Sequence, residues 1–113
     1  MAQTWKEKQA LGAALRRARV LHAMGLRELA RQSDVSATYL SKVETGQQKP
    51  SERILRIYSD MFCVDFDELN RLAGRVPGDV RQHLVQTPGA IKRLRNQMEK
   101  GKGNGKGKKR RKR

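Results

Sequence analysis

The sequence predicts an all-α fold, and three observations carry that reading. Apolar residues recur at three- and four-residue intervals through most of the chain, and no segment alternates long enough to argue for a strand. Thr4, Gly25, Ser36, Ser51 and Asp65, all residue types suited to a helix N-cap, stand just ahead of periodic stretches. Gly46 and Gly74 stand where two such stretches end, a place that favours a left-handed residue.

Thr4 followed by Glu7 has the spacing of a capping box, so a first helix begins there, with Leu11, Ala14, Leu15, Ala18 and Leu21 facing inward. Gly25 caps a second helix over Leu26 to Gln32. Asp34 and Val35 make a turn, and Ser36 caps a third helix that ends near Thr45 and Gly46. Gln47 to Pro50 is a short polar loop. Ser51 caps a fourth helix carrying Ile54, Leu55, Tyr58 and Phe62 inward, and Asp65 with Glu68 forms a capping box for a fifth, through Leu69 and Leu72.

Beyond Gly74, Pro77 reads as a first-turn proline with Val80, Leu84 and Val85 at helical spacing behind it. Thr87 and Pro88 open a last helix bearing Ile91, Leu94 and Met98. From Lys100 onward, glycine and lysine alternate before the chain closes on KKRRKR, a composition that cannot be buried and predicts a disordered tail. The organisation is therefore a helical domain over 1–74, a helical extension over 75–99 and a basic tail over 100–113.

Composition limits what such a chain can do. At 113 residues there is room for one small core, and 36% hydrophobic content with two Phe, two Tyr and one Trp supports no large aromatic-lined pocket. The net charge of +15 points to a polyanionic partner, nucleic acid above all. That charge is uneven: Lys100 to Arg113 hold nine Lys or Arg and no acid, which leaves +6 for residues 1–99.

No apolar run approaches a membrane span and no signal-peptide pattern opens the chain, so no membrane association is expected. The single cysteine, Cys63, excludes an intramolecular disulfide and a cysteine zinc cluster. It lies between Phe62 and Val64, where a buried, inert thiol is expected. His22 and His83 have no ligand cluster beside them, so neither a metal nor another cofactor is expected. Asp65, Asp67 and Glu68 stand at a helix start, where capping and the dipole explain them. With no Ser-His-Asp set and no phosphate-cradling glycine loop, the chain does not read as an enzyme.

The stretch Leu26 to Ser51 carries the chemistry. Leu29, Ala30, Val35, Leu40 and Val43 can hold the second and third helices together, and the third opens with the short side chains Ala37, Thr38 and Ser41. The major groove of DNA is about as wide as one α-helix, so a helix that reads bases needs short side chains near its N-terminus. Ala37 and Thr38 meet that need and can touch a thymine methyl, while Ser41 and Lys42 lie one turn on. Lys42 suits guanine O6 and N7 or a phosphate equally well.

Phosphate contacts belong to the edges of the motif. Leu26 and Arg27 begin a helix, with unpaired backbone N–H groups and the favourable end of the dipole. Ser36 and Tyr39 flank the reading positions. Gly46, Gln47, Gln48 and Lys49 in the loop, with Ser51 and Arg53 at the next helix start, hold the opposite side. Such contacts set register and carry no sequence information.

Over Leu11 to Leu72 the chain resembles the Cro and phage-repressor type helix-turn-helix domain, the xenobiotic-response-element family of bacterial regulators. The resemblance rests on Arg19, Glu28-Leu29-Ala30, Val35-Ser36, Leu40-Ser41-Lys42-Val43-Glu44, Gly46, Lys49-Pro50-Ser51 and Asp67-Glu68-Leu69. It implies a five-helix, lambda-repressor-like DNA-binding domain, here with one or two extra C-terminal helices. It implies base contacts at Ala37, Thr38, Ser41 and Lys42, and an ion pair between Arg19 and Glu44 that braces the reader helix. The chain departs from the family where Ala23 replaces a usual glycine, Gly25 a usual Ser or Thr cap, and Asp34 a common turn glycine.

The single cysteine fits a reducing, cytoplasmic setting, and the resemblance further implies a nucleoid-associated transcriptional regulator that binds double-stranded DNA, as a repressor that occludes a promoter. Val80, Leu84, Ile91, Leu94 and Met98 either close over the core or form a homodimer interface, with dimerisation favoured and a palindromic operator as its consequence. One alternative is an antitoxin whose C-terminal helices hold a toxin, or more generally a protein partner such as an anti-repressor. Another is a non-specific nucleic-acid-binding protein dominated by its basic tail.

Overall fold

The computed structural model describes the backbone of residues 5–105 and the side chains of residues 6–101. Within them the chain forms α1 (Trp5–Leu21), α2 (Leu26–Ser33), α3 (Ala37–Glu44), α4 (Glu52–Phe62), α5 (Phe66–Leu72), α6 (Gly78–Gln86) and α7 (Ala90–Gly105), with no strand among the described residues. The helices fall into two compact units, one ending at Pro77 and the other beginning at Gly78. Thr4, expected to cap α1, lies outside the described residues.

Local hydrogen bonds explain where the helices begin. The hydroxyl of Ser36 accepts from the Tyr39 N–H, that of Ser51 from the Ile54 N–H, and the carboxylate of Asp65 from the Glu68 N–H. Each satisfies a first-turn donor that has no partner inside its own helix. The capping box at α5 is only half made. Glu68 turns away from Asp65 and pairs with Arg71, one turn on along the solvent face.

The helices end by a shared device. At Ala23, Asp34, Gly46 and Gly74 the backbone takes a positive φ, and N–H groups just past the helix fold back onto its last carbonyls. After α1, for example, Ala23 N–H reaches Val20 O at 2.9 Å and Met24 N–H reaches Arg19 O at 3.2 Å. This is the Schellman closure, usually built on glycine. Ala23, with φ of 56°, adopts it at a steric cost that glycine would not carry.

The first unit packs one core. Leu11, Leu15 and Ala18 of α1 meet Leu29 and Ala30 of α2, Leu40 and Val43 of α3, Ile54, Leu55, Tyr58 and Phe62 of α4, and Phe66 and Leu69 of α5, all buried. Each leucine-sized side chain removed from water contributes roughly 1.5–3 kcal/mol. Val35 and Leu72 are half-buried at its margin. Phe62 meets Tyr58 edge-on at 5.6 Å between centroids, and the Arg56 guanidinium lies 3.7 Å from the centroid of Phe66.

Three expectations for the apolar faces are corrected. Leu21 is 76% exposed, because α1 ends at that residue and the left-handed turn at Ala23 leads the chain away before it can be covered. Ala14 is only half-buried, and Gly12 is buried in α1 instead. Cys63 is exposed, because it is the left-handed residue closing α4, with φ of 55°, and so points out of the apolar stretch that surrounds it in sequence.

The second unit is a helical hairpin of α6 and α7. Pro77 precedes α6 and does not occupy its first turn, and α7 starts at Ala90, after a left-handed Gly89. The α7 backbone continues to Gly105, past the expected end at Glu99, because each added residue of a helix already nucleated gains one backbone hydrogen bond. The remainder of the expected disordered tail, residues 106–113, lies outside the described residues.

Candidate nucleic-acid interface

Helices α2 and α3 meet through a turn of three residues, with Asp34 in the left-handed region and Val35 packed against the core. Leu29, Ala30, Leu40 and Val43 seal the contact between them. Packing of this kind leaves one side of α3 facing solvent. Thr38, Ser41 and Lys42 are exposed there, while Ala37 is half-buried against the core with its methyl at the rim.

These four residues line one wall of a shallow open groove. The first turn of α2, Gly25 to Glu28, forms the other wall, and Gln47 stands at its end. The structure thus brings Leu26, Arg27, Ala37, Thr38, Ser41, Lys42 and Gln47 to one surface. Gly25 supplies no side-chain hydrogen bond to the start of α2, so its first-turn N–H groups have no side-chain cap. An anion is attracted to such a terminus by those donors and by the helix dipole.

Glu28 was not anticipated in this groove. It is half-buried, and its carboxylate accepts from Gln32 at 2.6 Å and pairs with Arg31. The Gln32 amide first, and the Arg31 guanidinium second, hold that carboxyl below its usual range. Both partners lie along α2, so the negative charge is drawn back onto its own helix.

The other flank divides. Lys49, Gln47 and Gln48 are exposed, but the N–H groups of both glutamines are spent on the Lys42 carbonyl, at 2.8 and 3.2 Å, so only their side chains face outward. Ser36 Oγ is engaged by Tyr39 N–H and Ser51 Oγ by Ile54 N–H, while Tyr39 is half-buried and accepts from Ser51 N–H at 3.4 Å. Arg53 donates to the Ser33 carbonyl and ties α4 to the end of α2. Gly46 is buried, donates its N–H to Val43 O, packs on Gln9 of α1 and takes the left-handed conformation expected at the end of α3.

Behind the exposed face lies a buried polar network. Arg19 Nε and Nη2 each donate to one Glu44 oxygen at 2.8 Å, a two-point pairing of α1 with the end of α3. Arg19 Nη1 donates to the Met24 carbonyl at 2.9 Å, just ahead of α2. Tyr58 of α4 donates its hydroxyl to Glu44 at 2.6 Å. One carboxylate therefore fixes the end of α3 to two other helices. The hydrogen bond to Glu44 raises the Arg19 guanidinium above its usual value, and burial followed by the Glu44 hydrogen bond pushes the Tyr58 phenol strongly up. Neither group changes charge near neutral pH.

Sequence reasoning saw Tyr58 as an apolar core position and missed its hydroxyl. It also missed Gly12, whose place in α1 puts backbone against backbone at the end of α3. The available signal was a glycine beside Leu11 on an otherwise apolar helix face. Among the described residues no three His, Cys, Asp or Glu side chains gather as a metal site, and no helix is long and apolar enough to cross a membrane.

Two helices packed at a tight turn, with the second presenting short polar side chains outward from a rigid core, define a helix-turn-helix protein, a fold that binds DNA. The helix-turn-helix domain family model matches residues 10–72, and the chain belongs to that family. Among solved structures it is similar to the clp gene regulator ClgR from C. glutamicum, at 35% identity and a TM-score of 0.50, over 60% of this chain and 88% of that one. A search of curated proteins found no match.

Proposed function

We propose that this chain is a transcriptional regulator that binds double-stranded DNA in a sequence-specific manner, with α3 lying in the major groove. The observation that carries the reading is the groove face itself: Thr38, Ser41 and Lys42 exposed beside the uncapped start of α2, on a helix whose far end is clamped by Glu44. Ala37 and Thr38 sit where side chains must be short, and Lys42 is long enough to reach a guanine edge or a phosphate. Arg27, Gln47, Gln48 and Lys49 supply the contacts that set register. The likeness to a gene regulator supports a role at promoters, and the simplest effect of a small domain seated on a promoter is repression by occupancy. Two copies on a palindromic site would place their reader helices about one DNA turn apart.

Selection from randomised duplexes, run at two salt concentrations with the full chain and with a chain cut back to Glu99, tests this reading. A shared sequence motif from both is the expected result, and a palindromic one would mean that two copies bind together. Binding without a motif, or binding that disappears with the tail, assigns the protein to non-specific attachment through its terminal Lys and Arg.

A further inference from the structure

We infer that the α6–α7 hairpin is a docking surface for an acidic amphipathic helix of another protein. The sequence offers an apolar stripe here, and within the hairpin α6 leaves it uncovered. Ile91, Leu94 and Met98, spaced i, i+3 and i+7 on one face of α7, are 53%, 43% and 54% exposed. On α6 no residue is buried, and Val80 and Val85 are exposed as well. At the corner of the hairpin a groove is lined by Leu84, Val85, Pro88, Ile91, Lys92 and Arg95. Contiguous exposed apolar side chains on a small unit mark an interaction surface.

Charge decides what the surface accepts. Lys92 and Arg95 line that groove beside Ile91, Arg93 and Lys100 add exposed cations elsewhere on α7, and the acids among the described side chains of this unit are Asp79 and Glu99. A second copy of the hairpin would bring cation against cation, which opposes association. Nucleic acid would neutralise the cations but leave Ile91, Leu94 and Met98 in water. A helix with apolar anchors at matching spacing and acids on its flanks satisfies both features, in the helix-in-groove mode. The surface shares no residue with α2 or α3, so its test and that of the DNA reading can fail separately.

Two fluorescent synthetic peptides of the same Leu and Glu composition serve as probes. One has leucine at helical spacing with glutamate around it, and the other is scrambled so that no apolar face forms. Anisotropy titration with the full-chain protein should show the amphipathic peptide binding about tenfold or more tightly than its scramble. The exposed-site variant I91Q/L94Q/M98Q should erase that difference while leaving the scrambled peptide's affinity unchanged. The variant K92E/R93E/R95E should shift preference to a matched peptide with lysine in place of glutamate. Equal binding of both peptides, or a difference that survives I91Q/L94Q/M98Q, would overturn the inference. Sedimentation equilibrium supplies the remaining outcome: a dimer that I91Q/L94Q/M98Q splits would assign the stripe to a second copy and also overturn it.

Discussion

Gly12 lies against the carbonyl of Glu44, so closely that a Cβ at Gly12 would sit 2.4 Å from that oxygen. The same Cβ would lie 2.9 Å from the Val43 carbonyl, so the obstacle is backbone and cannot rotate aside. Helix α1 can therefore approach the end of α3 only where it has no side chain, and the seat of α3 depends on that contact.

Gly12→Ala should destabilise the first unit although alanine is the better helix former. The propensity gain of about 1 kcal/mol is outweighed by overpacking of roughly 1–3 kcal/mol or more. Thermal unfolding by circular dichroism should show a clearly lowered midpoint. A midpoint at or above that of the parent would contradict the close approach.

The Arg19–Glu44 pair is buried, with side-chain exposures of 11% and 5%. Removing one partner strands the other, so Arg19→Met and Glu44→Gln should each cost about 3–5 kcal/mol. The double variant should lose less than the two single losses together, since neither charge is then left alone. A double-mutant cycle by urea denaturation measures the coupling, and strict additivity would deny the pair its role.

Tyr58 should shape stability at alkaline pH. Its phenol is raised above the ordinary 10.0, so the folded state holds the proton more tightly than the unfolded one. The contribution is complete below that pH and is lost as pH rises above it, as the unfolded state gains from ionising while the folded one does not. Tyr58→Phe should cost roughly 1.5–3 kcal/mol at neutral pH, the value of a hydrogen bond to a charged group. Its stability should then fall less steeply than the parent's above pH 10.0. Parallel curves would assign the alkaline loss to other groups.

Ala23→Gly should stabilise the chain. The left-handed backbone costs alanine about 1–2 kcal/mol, and glycine's freer unfolded state returns about 0.4–1 kcal/mol of that. The net gain should be about 0.5–1 kcal/mol, read as a higher urea midpoint with an unchanged slope.

Thr38→Ala and Lys42→Ala should weaken specific binding by roughly 1–3 kcal/mol each while leaving helicity unchanged. Competition between a selected duplex and random DNA is the measurement. Discrimination that both variants retain in full would move the base-reading surface off α3.

Much of the fold was legible because its signals are local. A cap such as Ser36 or Ser51 acts on an N–H three residues away, so residue type and position suffice to place it. The same holds for the inward rows Leu11–Leu15–Ala18 and Ile54–Leu55–Tyr58–Phe62, which follow from helical spacing. Thr38, Ser41 and Lys42 could be singled out as outward positions because the sealing residues Leu40 and Val43 alternate with them at that spacing.

What failed did so at helix ends and over long separations. Leu21 and Cys63 continue their apolar patterns in sequence, yet a left-handed turn beside or at each one carries it outward. Gly46 holds its expected left-handed place at the end of α3, but its packing on Gln9 of α1 joins distant residues and had no local signal.

Helix identity, the turn between α2 and α3, and the outward positions of Thr38, Ser41 and Lys42 are consequences of short-range hydrogen bonding and periodicity, and the chain's order of residues settles them. The Arg19–Glu44 pair was implied by the resemblance, but the Tyr58 hydroxyl on Glu44, the backbone contact at Gly12 and the packing of Gly46 on Gln9 join residues many positions apart with no local signal. Only packing brings such groups within hydrogen-bond or van der Waals range, so only the tertiary structure could decide them.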